Sequence, residues 1–352
     1  IVLPRDAIES RMYEAAVRIL GTRAFGVTTN LFSAGMTSMT GIRFAAAIQD
    51  SPATSGLKNE TPITYADIFK YQTIERLARL ASGRAGELAI QYHLEDVAQF
   101  DYAQIESLLQ NNSLAGVSST SDLLTGHYEN VLLTGATGFL GVHVLAAFLE
   151  RFPGKVYCLV RRSKDHKIAQ RLLQYLFFYF DRSYAEELGN RLCVVEGDIT
   201  DRDGLLTLDL GVTHVINCAA NVKHFSEGDD IHRINFCGVE NLIEYCKKFG
   251  SKLIHVSTVS IAGSVEADSP LASHGLGENE LFVGQTLDNK YIHSKFLAER
   301  AILAAVASNE IAAKIMRAGN LMPRASDGVF QMNAASNSFA KRLKAYKLLG
   351  VY

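Results

Sequence analysis

The chain has 352 residues, with 35 basic against 37 acidic side chains, a net charge of −2, 48% hydrophobic and 20% charged residues. That balance supplies core enough for about two domains and gives no electrostatic footprint for nucleic acid or an anionic membrane. Five cysteines, an odd number without a Cys-x-x-Cys pair, argue against a disulfide frame or zinc site and for reduced thiols in a cytoplasmic setting. No apolar run approaches the roughly 20 residues that span a bilayer. The first residues, Ile-Val-Leu-Pro-Arg, include no Met and no signal layout, so the chain reads as an interior cut of something longer.

Residues 1–82 read as short helices. Ile8, Met12, Ala15, Ala16 and Ile19 form a helical apolar stripe, a Thr- and Gly-rich loop follows, and a second helix covers 38–50. Pro52, Gly56 and Pro62 mark turns, and Tyr65 to Leu80 carries two more helical patterns. A small all-α four-helix bundle is the natural solution. Residues 83–128 are transitional: one amphipathic segment at about 95–110, then the polar strings Asn111-Asn112-Ser113 and Ser118-Ser119-Thr120-Ser121, read as a linker.

From 129 the texture changes. Short Val-, Leu- and Ile-rich runs at 130–134, 155–160, 191–196, 213–218, 252–257 and 313–317 alternate with helical patterns such as 139–151, 230–248 and 289–307. Buried runs alternating with helices predict a Rossmann-type, doubly wound α/β sheet, parallel and covered on both faces. The aromatic stretch Tyr175 to Phe180 reads as helix packing.

Val131-Leu-Leu-Thr-Gly135-Ala-Thr-Gly138-Phe-Leu-Gly141 follows one such strand and opens a helix. Gly135 allows a tight turn, Gly138 the approach of a pyrophosphate, and Gly141 helix–strand packing. The phosphates would sit on N–H groups along Thr137, Gly138, Phe139, Leu140 and Gly141, at a helix N-terminus. A plain tight turn needs the same glycines; the strand–helix–strand setting favours dinucleotide binding. Arg161 and Arg162 end the next strand, where an acidic residue would hold a ribose 2′-hydroxyl and arginine suits a 2′-phosphate. Read so, the cofactor is NADPH; the alternative is two solvated arginines. Asp198, after the third strand, either bonds the adenine amine or serves its own turn.

Thr258 ends a strand, and Tyr291 and Lys295 lie at i and i+4 on one helical face. A lysine ammonium beside the phenol would favour phenolate and let Tyr291 exchange a proton near neutrality, while Thr258 can donate to the developing oxyanion. Together the glycine loop, the post-strand Arg161, Gly197-Asp198, Asn217-Cys-Ala-Ala220, Asn235, Thr258, Tyr291/Lys295 and Arg317-Ala-Gly-Asn320 resemble the extended short-chain dehydrogenase/reductase family over 129–325. The resemblance implies that Tyr291 donates the proton, Lys295 holds the nicotinamide ribose and Thr258 positions the carbonyl. Lys223 and His224 either line the substrate side or are surface residues.

The upstream region is similar to an acyl or peptidyl carrier protein. Asn30-Leu-Phe-Ser-Ala-Gly-Met-Thr-Ser38-Met resembles the attachment motif, and Thr64 to Ala78 its closing helices. As a bare feature, Ser38 is an N-cap serine; by resemblance it is the attachment site of 4′-phosphopantetheine, with Thr37 where the motif usually has Asp. A carrier (1–82), a linker (83–128) and a reductase (129–352) resemble the terminal module of a nonribosomal peptide synthetase. The implied work is NADPH-dependent release of a carrier-bound peptidyl or aminoacyl thioester as an aldehyde, or after a second reduction an alcohol. The implied partners are the peptidyl thioester on the chain's own arm, a phosphopantetheinyl transferase and upstream synthetase domains. The same carrier–reductase pair occurs in carboxylic-acid and aminoadipate reductases. The reductase stretch is shorter than its family's, so a truncated C-terminal substrate subdomain is expected, and a noncatalytic carrier with a nucleotide-binding domain is the rival of another class. Incubation with coenzyme A and a phosphopantetheinyl transferase should add one arm by mass spectrometry, and Ser38→Ala should abolish the addition; labelling at another residue would reject the assignment.

Overall fold

The computed structural model describes residues 1–49, 62–82, 94–111, 128–162, 168–222, 229–264, 275–287, 289–334 and 337–350. The chain divides into two compact units, one formed by Ile1–Val97 and the other by Ala98–Val222 with Asp230–Tyr352.

The first unit holds four helices: α1 (Ala7–Leu20), α2 (Ser38–Gln49), α3 (Tyr65–Tyr71) and α4 (Ile74–Ala81). Their starts are capped by side chains that satisfy orphan N–H groups. Asp6 accepts from the Glu9 N–H at 2.7 Å, Thr64 and Asp67 form a reciprocal capping box, and Thr73 caps α4. Gly21 ends α1 in the left-handed region. The apolar faces enclose Met12, Phe25, Leu31, Phe44, Ile68, Ile74 and Leu77, all buried.

Next come α5 (Leu94–Gln99) and α6 (Ala103–Asn111). The expected linker through 128 is corrected in part here. Tyr102 stacks on Phe282 with centroids 5.1 Å apart, and Arg300 lies 4.5 Å over the Phe100 ring. Burying these aromatics binds residues 98–111 into the second unit, where composition alone suggested a free tether.

Six strands build the sheet: β1 (Asn130–Thr134), β2 (Lys155–Val160), β3 (Leu192–Glu196), β4 (His214–Asn217), β5 (Lys252–Thr258) and β6 (Ala313–Ala318). Their order is β3-β2-β1-β4-β5-β6, and every pairing is parallel. Each expected apolar run is therefore a strand, and the doubly wound fold is present. Crossover segments carry α7 (Phe139–Arg151), α8 (Ile168–Phe180), α9 (Arg202–Leu206), α10 (Gly238–Phe249) and α11 (Lys290–Ala307), and α12 (Ser338–Leu349) follows β6.

Alternation along the strands sorts side chains to two faces. Val131, Leu133, Val156 and Cys158 pack against α7 and α8. Leu132, Val215 and Leu253 pack against α10 and α11, through Val239, Leu242, Ala298 and Ile302. Of the aromatic stretch, Tyr179 is buried and its hydroxyl accepts from the Met332 N–H at 3.2 Å, whereas Phe177 and Phe178 are exposed. All five cysteines are free thiols. Among the described residues, no helix is long and apolar enough to cross a membrane.

The order reverses between β1 and β4, so their carboxyl ends flank the crevice where doubly wound sheets bind ligands. Gly141 holds that edge together: a Cβ there would lie 2.1 Å from the Gly135 carbonyl oxygen. Gly141→Ala should destabilise the chain by about 3 kcal/mol, read as a lower urea midpoint at unchanged slope. An unshifted midpoint would show that the helix can move away from the loop.

Candidate active site

The glycine loop leaves β1 by a sharp turn. Gly135 has φ +71°, and a Cβ there would sit 2.6 Å from the Ala219 nitrogen, so both conformation and proximity demand glycine. Gly138 is the N-cap of α7 and supplies no capping side chain. The helix N-terminus thus opens at the carboxyl edge of the sheet with its backbone donors uncapped by any side chain, which suits a phosphate. Phe139 places its ring against His143, Tyr179 and Phe330, anchoring the first helical turn. These residues fit the pyrophosphate of a dinucleotide.

Arg161 and Arg162 stand exposed beyond the carboxyl end of β2, beside β1. Arg162 Nε is 3.8 Å from Glu196 Oε1, a loose surface pair. Asp198 does turn work: its Oδ1 accepts from both the N–H and the hydroxyl of Thr200 at 2.9 Å.

Thr258, at the end of β5, accepts from the Ser260 N–H at 3.1 Å. Tyr291 lies in the first turn of α11, which Asn289 caps by accepting from the Ile292 N–H. Lys295, one turn on, is 2% exposed; Nζ donates to the Val256 carbonyl at 2.7 Å and lies 2.9 Å from His255 Nε2. The three residues expected to act together are thus assembled by β5 and α11. The expected electrostatics differ. Burial pushes the Tyr291 phenol above its ordinary value, with the nearby Thr258 hydroxyl pulling the other way. Burial also lowers Lys295 to about 8, against the opposing fields of Glu299 and Cys218. Desolvation outweighs the mutual help of opposite charges in so enclosed a place.

Several polar residues surround this set. Asn235 lies in a π-helical turn, Arg233–Cys237, that runs into α10. Its Nδ2 donates to the Asn221 carbonyl at 3.0 Å and to Ser294 Oγ at 3.1 Å, and its Oδ1 accepts from the Asn221 N–H at 2.7 Å. It thereby ties the segment after β4 to α11, and π-turns often mark functional positions. Glu299 is fully buried, and its Oε2 takes Arg317 Nη2 at 3.0 Å and Nε at 3.1 Å. Arg317 also donates to the Gly277 and Glu280 carbonyls, fastening that segment over α11. His255 and Glu299 escape a motif reading; their signal is a polar residue inside an otherwise apolar strand or helix face. Lys223 and His224 lie outside the described residues.

In the other unit, Ser38 is the first residue of α2, and the capping role falls to Thr37. The Thr37 carbonyl accepts from the Gly41 N–H at 2.8 Å, and Thr37 Oγ1 accepts from the Thr40 N–H at 3.3 Å. The Thr37 N–H donates in return to Thr40 Oγ1 at 2.6 Å. This reciprocal cap corrects the reading of Ser38 as the cap; it leaves Ser38 at the first helical position, with Thr37 doing what an Asp there would do.

The family model described as Male sterility protein, an NAD-binding family, matches residues 133–349. A thiolation-reductase di-domain from an archaeal nonribosomal peptide synthetase superposes with a TM-score of 0.81 at 34% identity, covering 99% of this chain and 71% of that one. The terminal R domain of the myxalamid PKS-NRPS pathway gives a TM-score of 0.53 at 25% identity, covering 65% and 58% respectively. A linear gramicidin synthase chain of Brevibacillus parabrevis is 26% identical over 342 residues, which is 94% of this chain and 6% of that protein. The chain thus spans a small part of that relative's length. Glu299→Ala would strand the Arg317 charge and should cost about 3 kcal/mol in a urea titration; an equally stable variant would mean that Arg317 finds solvent instead.

Proposed function

The chain belongs to the NAD-binding family described as Male sterility protein, and on that premise we propose that it releases a carrier-bound thioester by NADPH-dependent reduction to an aldehyde. The observation that carries the reading is the bond from Lys295 Nζ to the Val256 carbonyl at 2.7 Å, which sets the Tyr291–Lys295 face of α11 on the carboxyl end of β5, where Thr258 ends the strand. It supplies a positioned proton donor on the same sheet edge as a phosphate-accepting glycine loop. The likeness to a thiolation-reductase di-domain over nearly the whole chain supports joining a carrier to that chemistry.

Gly135 to Gly141 would hold the pyrophosphate, Arg161 and Arg162 the 2′-phosphate that distinguishes NADPH, and Lys295 the nicotinamide ribose. Asp198 has Oδ2 for the adenine amine. The bound nucleotide would supply hydride to the thioester carbonyl carbon. Tyr291 gives its phenolic proton to the carbonyl oxygen, and Thr258 aligns that oxygen. A phenol kept protonated by burial is the form that donates. The thiohemiacetal so formed collapses: its C–S bond breaks, its hydroxyl proton passes to the sulfur, and the aldehyde departs while the thiol stays on the arm.

Ser38 is the proposed attachment point of 4′-phosphopantetheine, set there by a phosphopantetheinyl transferase, with the acyl group delivered by upstream synthetase domains in a cytoplasmic setting. Tethering raises the effective substrate concentration to about millimolar for a short flexible linker, so tight binding of free substrate is unnecessary. The test loads Ser38 with an aminoacyl-pantetheine and follows nucleotide absorbance together with product mass. NADPH should be consumed in preference to NADH, with aldehyde formed. Tyr291→Phe should keep nucleotide affinity and lose turnover by about 10²-fold or more. Equal use of NADH would reject the arginine assignment, and retained turnover in the variant would reject Tyr291 as donor.

A further inference from the structure

Gln285 lies in the segment that leads into α11, and only 4% of its surface is exposed. The chain around it explains why an amide sits so deep. On leaving β5 the backbone turns at once: Val259–Ala262 form a short 3₁₀ turn, and Gly263 follows with φ +58°. A Cβ on Gly263 would lie 2.2 Å from the Thr286 carbonyl oxygen, so the two stretches pass in contact. Ser264 and Thr286 then exchange backbone bonds. The Thr286 N–H donates to the Ser264 carbonyl at 2.7 Å, and the Ser264 N–H to the Thr286 carbonyl at 3.0 Å. The chain that leaves Thr258 is thereby laid against the chain that reaches Tyr291.

Backbone groups enclosed by such a contact need partners, and Gln285 serves three of them. Its Nε2 donates to the Leu281 carbonyl at 2.8 Å and to the Ile261 carbonyl at 3.2 Å. Its Oε1 accepts from the Val283 N–H at 2.8 Å. Two carbonyls call for hydrogens and the N–H calls for a lone pair, so the amide has one orientation. A carboxylate of the same length has no hydrogen to give, and an aliphatic chain would leave all three groups unpaired. Leu281 and Val283 belong to the segment of Gln285 itself. Ile261 belongs to the turn after Thr258, so that bond joins the two stretches.

We propose that Gln285 is a positioning residue, which sets the turn after Thr258 against the entry to α11 and so places Thr258 relative to Tyr291. The proposal rests on the reductase reading for the use made of those two hydroxyls. Two paths lead from the amide to the site. Along one, Ile261 lies in the turn whose Ser260 N–H donates to Thr258 Oγ1 at 3.1 Å, and that bond aims the Thr258 side chain. Along the other, Leu287 is buried two residues on, Asn289 caps α11, and Tyr291 follows in the first turn. Arg317 of β6 holds the earlier part of the same segment by the Gly277 and Glu280 carbonyls, whereas Gln285 reaches the turn. The three partners of Gln285 lie outside the glycine loop and the ends of β2 and β3. Its loss therefore acts on alignment of the thioester carbonyl and spares nucleotide affinity.

The test uses the full chain with Gln285→Met and Gln285→Glu, each checked for folding by circular dichroism. Met keeps the length and removes all three bonds; Glu keeps an acceptor for Val283 and loses both donors. Exchange of the Ser260 amide hydrogen, read by NMR, should quicken about 10-fold in each. With an aminoacyl-pantetheine on Ser38, turnover should fall by about 10-fold or more while the NADPH dissociation constant stays unchanged. Gln285→Glu should suffer more, because its carboxylate faces the Ile261 and Leu281 carbonyls. Unchanged Ser260 exchange in a folded variant would overturn the proposal. So would equal losses of turnover and NADPH affinity, the sign of a site disturbed throughout. If neither variant folds, the wild-type protein decides: both Gln285 Nε2 hydrogens should exchange more slowly than those of exposed glutamines, and equal rates would overturn the proposal. A wild-type chain that reduces no thioester would reject the reductase reading, and Ser260 exchange would still decide whether Gln285 holds the turn.

Discussion

Parallel pairing sets side chains of equal register shoulder to shoulder, and in this sheet that places Thr134, Asn217 and His255 in one buried row. Inward positions near them are apolar, Leu132, Val215 and Leu253 among them. A polar group so enclosed costs several kcal/mol if it finds no partner, so the row must satisfy itself and then find one more partner beyond the sheet. Lys295 of α11 is that partner. The requirement constrains the rotation of α11 about its axis, and with it the placing of Tyr291, one turn earlier on the same helix. One register constraint thus orders the candidate chemistry.

The same edge is held from two further sides. Gly135 and Gly141 bring the start of α7 against the ends of β1 and β4 so closely that side chains would be driven into backbone. On the far side, Arg317 of β6 clamps Glu299 and the 277–280 segment. Between them, Asn235 joins the segment after β4 to α11 through three hydrogen bonds. Rigid strands and helices carry all the participating groups, which is how a site keeps its geometry without a ligand to organise it. The low dielectric that follows shifts Tyr291 and Lys295 away from charge, opposite to what pairing them in solvent would do.

The first unit is economical by comparison. Its helices are short, and short helices are marginal alone; each of the four has a capping residue at its start, and their apolar faces share one core. Thr37 takes the cap of α2, and Ser38 is the first residue of that helix. The aromatic pair Phe100 and Tyr102 shows the same economy in the second unit, where two side chains and Arg300 bind a polar-flanked segment to α11.

What the amino-acid order determined by itself was whatever depends on neighbours along the chain. Apolar runs alternating with helical patterns identified all six strands, Gly135-x-x-Gly138-x-x-Gly141 identified the phosphate loop, and Tyr291 with Lys295 at i and i+4 identified one helical face. Capping at Thr37 in place of Ser38 turned on a single hydrogen-bond geometry, and the docking of 98–111 required a surface far off in sequence, where Phe282 receives Tyr102. His255 looked like one polar residue in an apolar strand, and Asn217 and Thr134 lie 38 and 121 residues before it. Only strand order and register brought them together. Hydrogen-bond direction and desolvation are properties of an enclosed three-dimensional neighbourhood, which no local pattern in the sequence encodes.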